Sequence, residues 1–494
     1  MTLSQPDTKS AEIACEVGRT VTKLLNRVRY ERILRARDHT TLSDFVFAAE
    51  DGGASKAEQA SGPSPLYQTP SAFDIPTCYA RYSTYSFPSP STKPYSLSCS
   101  ITGDQVSPLH ATIRLLRSPI RIFAVGLAIR LAFLARLIYA RTDSLSWEKN
   151  EPGGIARWIL LTHSFSSPYH GAHFPTAWLG PGYPALVALS FAIFGVQSSA
   201  SAVAVMIFNA VCSALIGVIC YRIGKLCFDE TSGLIAGWAW TLSPYVALMP
   251  FLLVESCLSA LLLSYALLCT LTLDESRLRW AYCGGVWGIA ALVNPALLAP
   301  LPFIMLYFWF KTPRRRVQAF VFTTAFAACV APWMMRNAFV MHRLFPIRSN
   351  LWAEIYFGNA DFGYHPLGPS MEYQRLGEMR FMDEMKSKTV EYVRAKPRDF
   401  VIATGRRVIN FWALPGWWPE LLFVVALAGL FLSRNAIFCA VVATYPLVYY
   451  VSYTFTRYRY PIEPVIYLAA GYAVARAWSA LRVPAGSTRE SLAH

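Results

Sequence analysis

An all-α, polytopic transmembrane helical bundle of about 10–12 spans is the fold class this sequence predicts. Three observations carry that expectation. Charged residues make up only 15% of the 494 and hydrophobic residues 54%, whereas ordinary soluble domains carry about 25% charge. Apolar runs of roughly 16–30 residues recur from residue 121 onward, long enough to cross a hydrocarbon layer. Fourteen Trp and 26 Tyr suit aromatic belts at the two membrane interfaces. So little charge cannot cover the surface of a soluble multidomain enzyme, and that class is excluded.

The net charge of +15 raises the question of nucleic acid, which the charge placement answers. Residues 1–120 hold 13 Lys/Arg against 11 Asp/Glu, so nearly all of the excess lies in the apolar part. There it marks loops on one side of a membrane and sites for anionic ligands, and no nucleic-acid partner is expected. The 11 cysteines are scattered, Cys212, Cys220, Cys257 and Cys269 among them lying inside apolar runs, with no C-x-x-C pair. Neither a zinc motif nor a disulfide framework is indicated.

Residues 1–118 differ in character from the rest of the chain. Met1 to Glu16 contains no apolar stretch of the kind a signal peptide needs. Residues 22–37 intersperse Leu24, Leu25, Val28 and Leu34 with basic residues. That pattern fits a helix on an anionic membrane surface, a solvated charged helix or disorder. Residues 61–102 are rich in Ser, Thr, Pro and Tyr without a period and read as disordered, since they bury too little apolar surface to offset ordering. A downstream start would need a codon other than ATG, because no Met lies between Met1 and Met206.

The expected spans are 121–140, 181–196, 198–220, 232–249, 251–272, 281–310, 318–335, 417–433, 436–453 and 459–478. Asn294-Pro295 inside 281–310 leaves open whether that run is one helix or two. Arg114, Arg117 and Arg121 before the first span place the N-terminus in the cytoplasm by the positive-inside rule. Lys311, Arg314, Arg315, Arg316, Arg434, Arg476 and Arg482 fall on the same side if 281–310 crosses once, while the basic residues at 222–225 and 277–279 then fall on the wrong one. The polar stretches 141–180 and 336–410 share the external face.

The first external loop carries Glu148 and Glu151, followed by Ile155, Ala156, Ile159 and Leu160 at helical spacing. An interfacial helix therefore starts near Pro152. A carboxylate at such an N-terminus is favoured by the helix dipole alone; it is also where a general base would sit at the membrane surface. His163, His170 and His173 share the loop, and three His with a Glu could bind zinc, though the spacing fits no standard metal motif. Glu255 opens an apolar run, and an ionisable residue inside a membrane segment is a functional candidate. Arg336, Arg343 and Arg348 cluster at the outer end of a span, where the charge rule expects few. Their planar donor forks suit a phosphate; pairing with Glu354 or with lipid head groups is the structural alternative. Residues 372–396 read as a solvated surface helix. Arg457 and Arg459, with Glu463 near, open the last span on the same external side.

Several pieces then read together. They are EPGGIA at 151–156, SFSSPY at 164–169, PTAW at 175–178, GPGYPALVALSFAIFG at 180–195, WGIAALVNPALL at 287–298, APWMMRN at 331–337, PIRSNLWAEIYFGN at 346–359, LGE at 376–378 and RYRYPIEP at 457–464. In this order, over about 120–480, the chain resembles the integral-membrane glycosyltransferases of the GT-C fold, which include the protein O-mannosyltransferases and the aminoarabinose transferases of lipid A.

The resemblance implies a GT-C-like transmembrane glycosyltransferase domain over 119–480 in a bacterial inner membrane; composition leaves 1–118 as a disordered extension, and the basic residues at the domain's end leave 481–494 as a cytoplasmic tail. It implies a sugar donor linked to polyprenyl phosphate and a glycolipid, polysaccharide or protein acceptor. Transfer would invert the sugar, with a first-loop carboxylate deprotonating the acceptor hydroxyl on the external, periplasmic face. That residue would be Glu151 or Glu148. Many relatives carry a more adjacent acidic pair than these two, which Lys149 and Asn150 separate, so the choice stays open. Glu255, a further catalytic candidate, falls where relatives often carry a second acidic residue near the site. Arg348, Arg457 and Arg459 resemble lipid-phosphate ligands supported by Asn350, with Arg336 and Glu354 as further substrate-binding candidates. A divalent cation is the one candidate cofactor. No P-loop or glycine fingerprint appears, which fits a lipid-linked donor. The rival readings are a multi-pass transporter or flippase of a lipid-linked or anionic solute, for which no internal repeat is visible, and a non-enzymatic scaffold.

Overall fold

The computed structural model describes residues 117–140, 145–147, 150–169, 173–311, 316–360, 371–413 and 417–482. The expectations for the N-terminal extension, for Glu148 and His170 and for the tail beyond 482 lie outside the described residues.

Helices run in the order α1 (Pro119–Tyr139), α2 (Glu151–Thr162), α3 (Gly182–Phe194), α4 (Ser199–Cys227), α5 (Glu230–Leu242), α6 (Pro244–Leu248), α7 (Ser256–Leu271), α8 (Arg277–Val293), α9 (Leu301–Lys311) and α10 (Arg316–Met341). After α10 come α11 (Leu351–Ala360), α12 (Met371–Leu376), α13 (Glu378–Ala395), α14 (Pro397–Trp412), α15 (Trp417–Ser433), α16 (Ala436–Thr444), α17 (Leu447–Val451), α18 (Thr456–Arg459) and α19 (Glu463–Arg482). The helical membrane bundle expected from the sequence is borne out. Among the described residues, helices α1, α4 and α10 are each long and apolar enough to cross a membrane, and α5 with the segment Pro244–Phe251, bent by 52°, is so as a pair. Outward-facing Phe303, Phe320, Phe339 and Phe431 remain exposed, as lipid-facing residues must.

Small residues set the closest crossings. A Cβ on Gly284 or Gly288 would collide with α10 at Phe322 or Cys329, so this G-x-x-x-G pair lets α8 and α10 approach closely. Buried polar residues tie helices together inside the bundle. Arg130 donates from Nε to Ser213 Oγ at 2.9 Å and from Nη1 to the Gly126 carbonyl at 2.8 Å. Asn209 donates to the carbonyls of Pro250 and Leu252 at 3.3 and 3.1 Å. Those two carbonyls lie where the chain leaves the helical ladder, and inside a membrane protein such groups need partners.

Two details depart from the span list. The run 281–310 breaks at Asn294: Trp280 of α8 packs against Phe308 of α9 at 5.6 Å between rings, so the two helices form a hairpin. The segment 181–196 does not run the length of the bundle. Tyr183 meets Asn209 at 3.4 Å and Ser190 donates to the Ser201 carbonyl at 3.0 Å, so α3 runs back along the first turns of α4. Together these place the basic loops at one end. Arg117 and Lys225 both reach Glu230, at 3.7 and 3.6 Å; Gln318 at the start of α10 reaches the Glu275 carbonyl at 3.4 Å, next to Arg277 and Arg279. The residues at 222–225 and 277–279, misplaced in the one-span reading, thus join the others.

Candidate functional site

The opposite end of the bundle gathers most of the candidate residues. Asn150 caps α2 by accepting from Gly153 N at 2.8 Å, and Pro152 occupies the first turn, where its missing N–H costs nothing. Gly153 and Gly154 follow because a Cβ on them would strike Trp147 and Pro168. The EPGGIA stretch is therefore a helix start pressed against its own loop, with Glu151 in its first turn. Asn150 also donates to the Leu253 carbonyl at 3.0 Å, which brings the turn before Glu255 beside the Glu151 helix.

Glu151 Oε1 accepts a hydrogen bond from the Tyr169 hydroxyl. Tyr169 is buried and packs edge-on against Trp178 and Tyr373, with ring centroids 5.3 and 5.8 Å away. Burial pushes its hydroxyl pKa well above the usual range, and the neighbouring charges of Glu151 and Glu354 add to the effect. The hydroxyl is thus a neutral donor at any working pH.

Glu354 links the other candidates. Besides Tyr169 it acts electrostatically on Arg348 and on Tyr458, and its Oε1 accepts from Asn350 Nδ2 at 2.9 Å. Tyr458 lies under Arg457, whose guanidinium stands 5.4 Å from its ring. Arg348 donates from Nη2 to Glu255 Oε1 at 3.0 Å. The sequence alternative paired the external arginines with Glu354; the partner of Arg348 is Glu255 instead, and that of Arg343 is Asp383, bound through both Nη atoms at 2.6 Å each.

Arg336 and Arg459 are held elsewhere. Arg336 donates to the Thr176 and Phe165 carbonyls at 2.7 and 2.9 Å and stacks on Trp333 at 4.8 Å, so it clamps the first polar loop onto α10. Arg459 is fully buried, paired with Glu463 at 2.6 Å and bonded to the Trp412 carbonyl at 2.8 Å. It braces the start of the last helices and offers no surface to a ligand. Of the histidines, His163 ends α2 in a left-handed conformation, φ 53°, and His173 packs against Trp158 at 4.6 Å. No group of three or more His, Cys, Asp or Glu placed to hold a metal occurs among the described residues.

One residue quoted only as part of LGE is central to the site's architecture. Glu378, 2% exposed, accepts from Thr176 Oγ1, from Ala177 N at 2.7 Å, from Ser349 Oγ at 2.6 Å and from the Tyr373 hydroxyl at 2.9 Å. It joins the first polar loop, the residue after Arg348 and α12 in a single node. Nothing in a lone Leu-Gly-Glu foretells this; the stretch 372–396, read as one solvated surface helix, is instead broken at Gly377 and packs inward through Tyr373, Phe381, Met382 and Met385, with Glu378 at the start of its second helix. Tyr169 was legible only as part of SFSSPY.

Residues 178–335 match the model of the family described as dolichyl-phosphate-mannose-protein mannosyltransferase. The match lies inside the stretch that carries the sequence resemblance and bears that resemblance out. No curated protein sequence matches the chain. Among solved structures, it is similar to the oligosaccharyltransferase of Archaeoglobus fulgidus tethered with an acceptor peptide, at 14% identity and TM-score 0.45, over 74% of this chain and 50% of that one. It is also similar to ArnT from Cupriavidus metallidurans bound to undecaprenyl phosphate, at 13% identity and TM-score 0.35, over 73% of this chain and 78% of that one. The chain spans about half the length of the archaeal protein.

Proposed function

We propose that the chain is a membrane glycosyltransferase that moves a sugar from a polyprenyl-phosphate-linked donor to an acceptor hydroxyl. The observation that carries this reading is that Asn150, which caps the helix of Glu151, also holds the turn before Glu255, so that Glu151, held by Tyr169, shares one end of the bundle with the Arg348–Glu255 pair. The family match over 178–335 supports the reaction class.

In this reading the acceptor oxygen attacks the anomeric carbon on the face opposite the phosphate. The new C–O bond forms as the bond to the phosphate oxygen breaks, which inverts the centre. Glu151, in the first turn of α2, takes the acceptor's proton. The phosphate leaves with the bonding electrons, and Arg348 stabilises that growing charge by a preformed donor edge. Arg457, stacked on Tyr458, is assigned as a second cation for the phosphate, and Asn350 orients Glu354. The site end faces the periplasm and the basic end the cytoplasm of a bacterial inner membrane.

The test is a strain lacking the protein, complemented with the wild type or with Glu151→Gln. Cell-envelope glycans and glycolipids of the deletion strain should lose a sugar that the wild type restores. Glu151→Gln should reach the membrane in normal amounts and restore nothing. Full restoration by that variant would remove Glu151 from the role of base.

A further inference from the structure

Two arginine–carboxylate pairs near the site differ in a way that general chemistry makes informative. Arg343 and Asp383 are fully matched, two guanidinium nitrogens on two carboxylate oxygens at 2.6 Å. Arg348 and Glu255 are half matched: Nη2 donates to Oε1 at 3.0 Å, while Nε, the other half of that guanidinium edge, is buried with no hydrogen-bond partner. Both side chains are about one-fifth exposed, so solutes reach the pair, although Nε itself is covered in this paired state and must be uncovered when the pair opens.

The two partners are also anchored separately. Glu255 follows the irregular turn at 249–254, whose Leu253 carbonyl is fixed by Asn150. Arg348 precedes Ser349, whose N–H donates to the Ala177 carbonyl at 3.0 Å and whose hydroxyl donates to Glu378. Either side chain can let go of the other without moving its backbone.

Resting on the proposed function and deepening it, we infer that Glu255 is an exchangeable counter-ion of Arg348, competing with the lipid phosphate for the same donor edge. A phosphate presents two oxygens to Nε and Nη2 together, the bidentate geometry for which the guanidinium is suited; Glu255 uses only one of the two nitrogens. Phosphate therefore wins the edge when it binds. After transfer the spent lipid carries a phosphate monoester, of higher negative charge than the diester donor. It would hold Arg348 more strongly, and the return of Glu255 to Nη2 speeds its release. Glu255 is on this view a residue that sets phosphate affinity and departure, distinct from a second catalytic acid. A role in merely orienting Arg348 predicts the opposite sign when the carboxylate is removed.

The experiment measures undecaprenyl phosphate binding to the full-length protein in lipid nanodiscs, for wild type, Glu255→Gln, Glu255→Asp and Arg348→Ala. Glu255→Gln should bind about tenfold tighter, chiefly through slower dissociation, a coupling of the usual size. Glu255→Asp, with the charge kept and the reach shortened, should fall between it and the wild type, and provides the test if the Gln variant does not fold. Arg348→Ala should lose most binding. Unchanged or weaker binding by the Glu255 variants overturns the exchange while leaving Arg348 as the phosphate ligand; unchanged binding by Arg348→Ala overturns the phosphate reading itself. Inorganic phosphate as competitor separates the sources: displacement only at large excess supports a lipid phosphate, and displacement on equal terms overturns it.

Discussion

Removing one oxygen from Tyr169 tests how Glu151 is held. Tyr169→Phe keeps the ring that packs on Trp178 and Tyr373 and deletes only the hydroxyl that donates to Glu151. A hydrogen bond to a charged group contributes about 1.5–3 kcal/mol. A roughly tenfold or larger fall in sugar transfer is expected at an unchanged protein level, read from the same envelope glycans; undiminished transfer would show that the carboxylate needs no such hold. Glu151, Arg348 and Glu255 were legible in the sequence because a charge in or beside an apolar run is conspicuous. Arg459 was equally conspicuous, yet its full burial against Glu463 depends on a helix packing that no local pattern reveals. Tyr169 was hidden for the converse reason: in a chain with 26 tyrosines, only the fold shows which one touches a carboxylate.

The polar segments depend on Glu378 for their docking. Glu378→Ala removes an acceptor shared by four donors and leaves the Ala177 N–H buried without a partner, a costly outcome. Thermal unfolding in detergent should shift down by about 5 °C or more. Glu378→Gln can still accept from Ala177 N while its amide donates to hydroxyls that are free to turn, so its shift should be clearly smaller; equal shifts would refute the node. Burial pushes the Glu378 carboxyl above its ordinary value of 4.5, against the pull of its hydrogen bonds. A raised folded-state value means that the folded protein holds the proton more tightly than the unfolded chain. The contribution is therefore full below pH 4.5 and is lost as pH rises through the raised value. Unfolding of the Gln variant should accordingly vary less with pH from about 4.5 upward than that of the wild type. Helix existence was readable here from charge alternation over 372–396, but the node was not, because it joins residues about 200 positions apart.

Across the whole molecule, two ends differ in chemistry. The end with Arg117, Lys225, Arg277 and Arg279 is basic, and the other carries the site. Single cysteines at Ser276 and Ser387, in a background without native cysteines, should react with a membrane-impermeant maleimide from opposite sides, and one at Thr162 should label with Ser387. Labelling of Ser276 and Ser387 from the same side would overturn the proposed orientation. Low charge, recurrent apolar runs and the placement of basic loops already require a membrane bundle, since hydrophobicity and charge act locally and are read without a fold. The path of the chain and the partnerships of its charges come from packing. The hairpin at Asn294 and the short course of α3 place the basic loops at one end, and packing decides that Arg348 faces Glu255 while Arg459 is sealed within. The reason is physical: a charge's cost is written in its own neighbourhood along the chain, but its partner is chosen by helices that meet far apart in sequence.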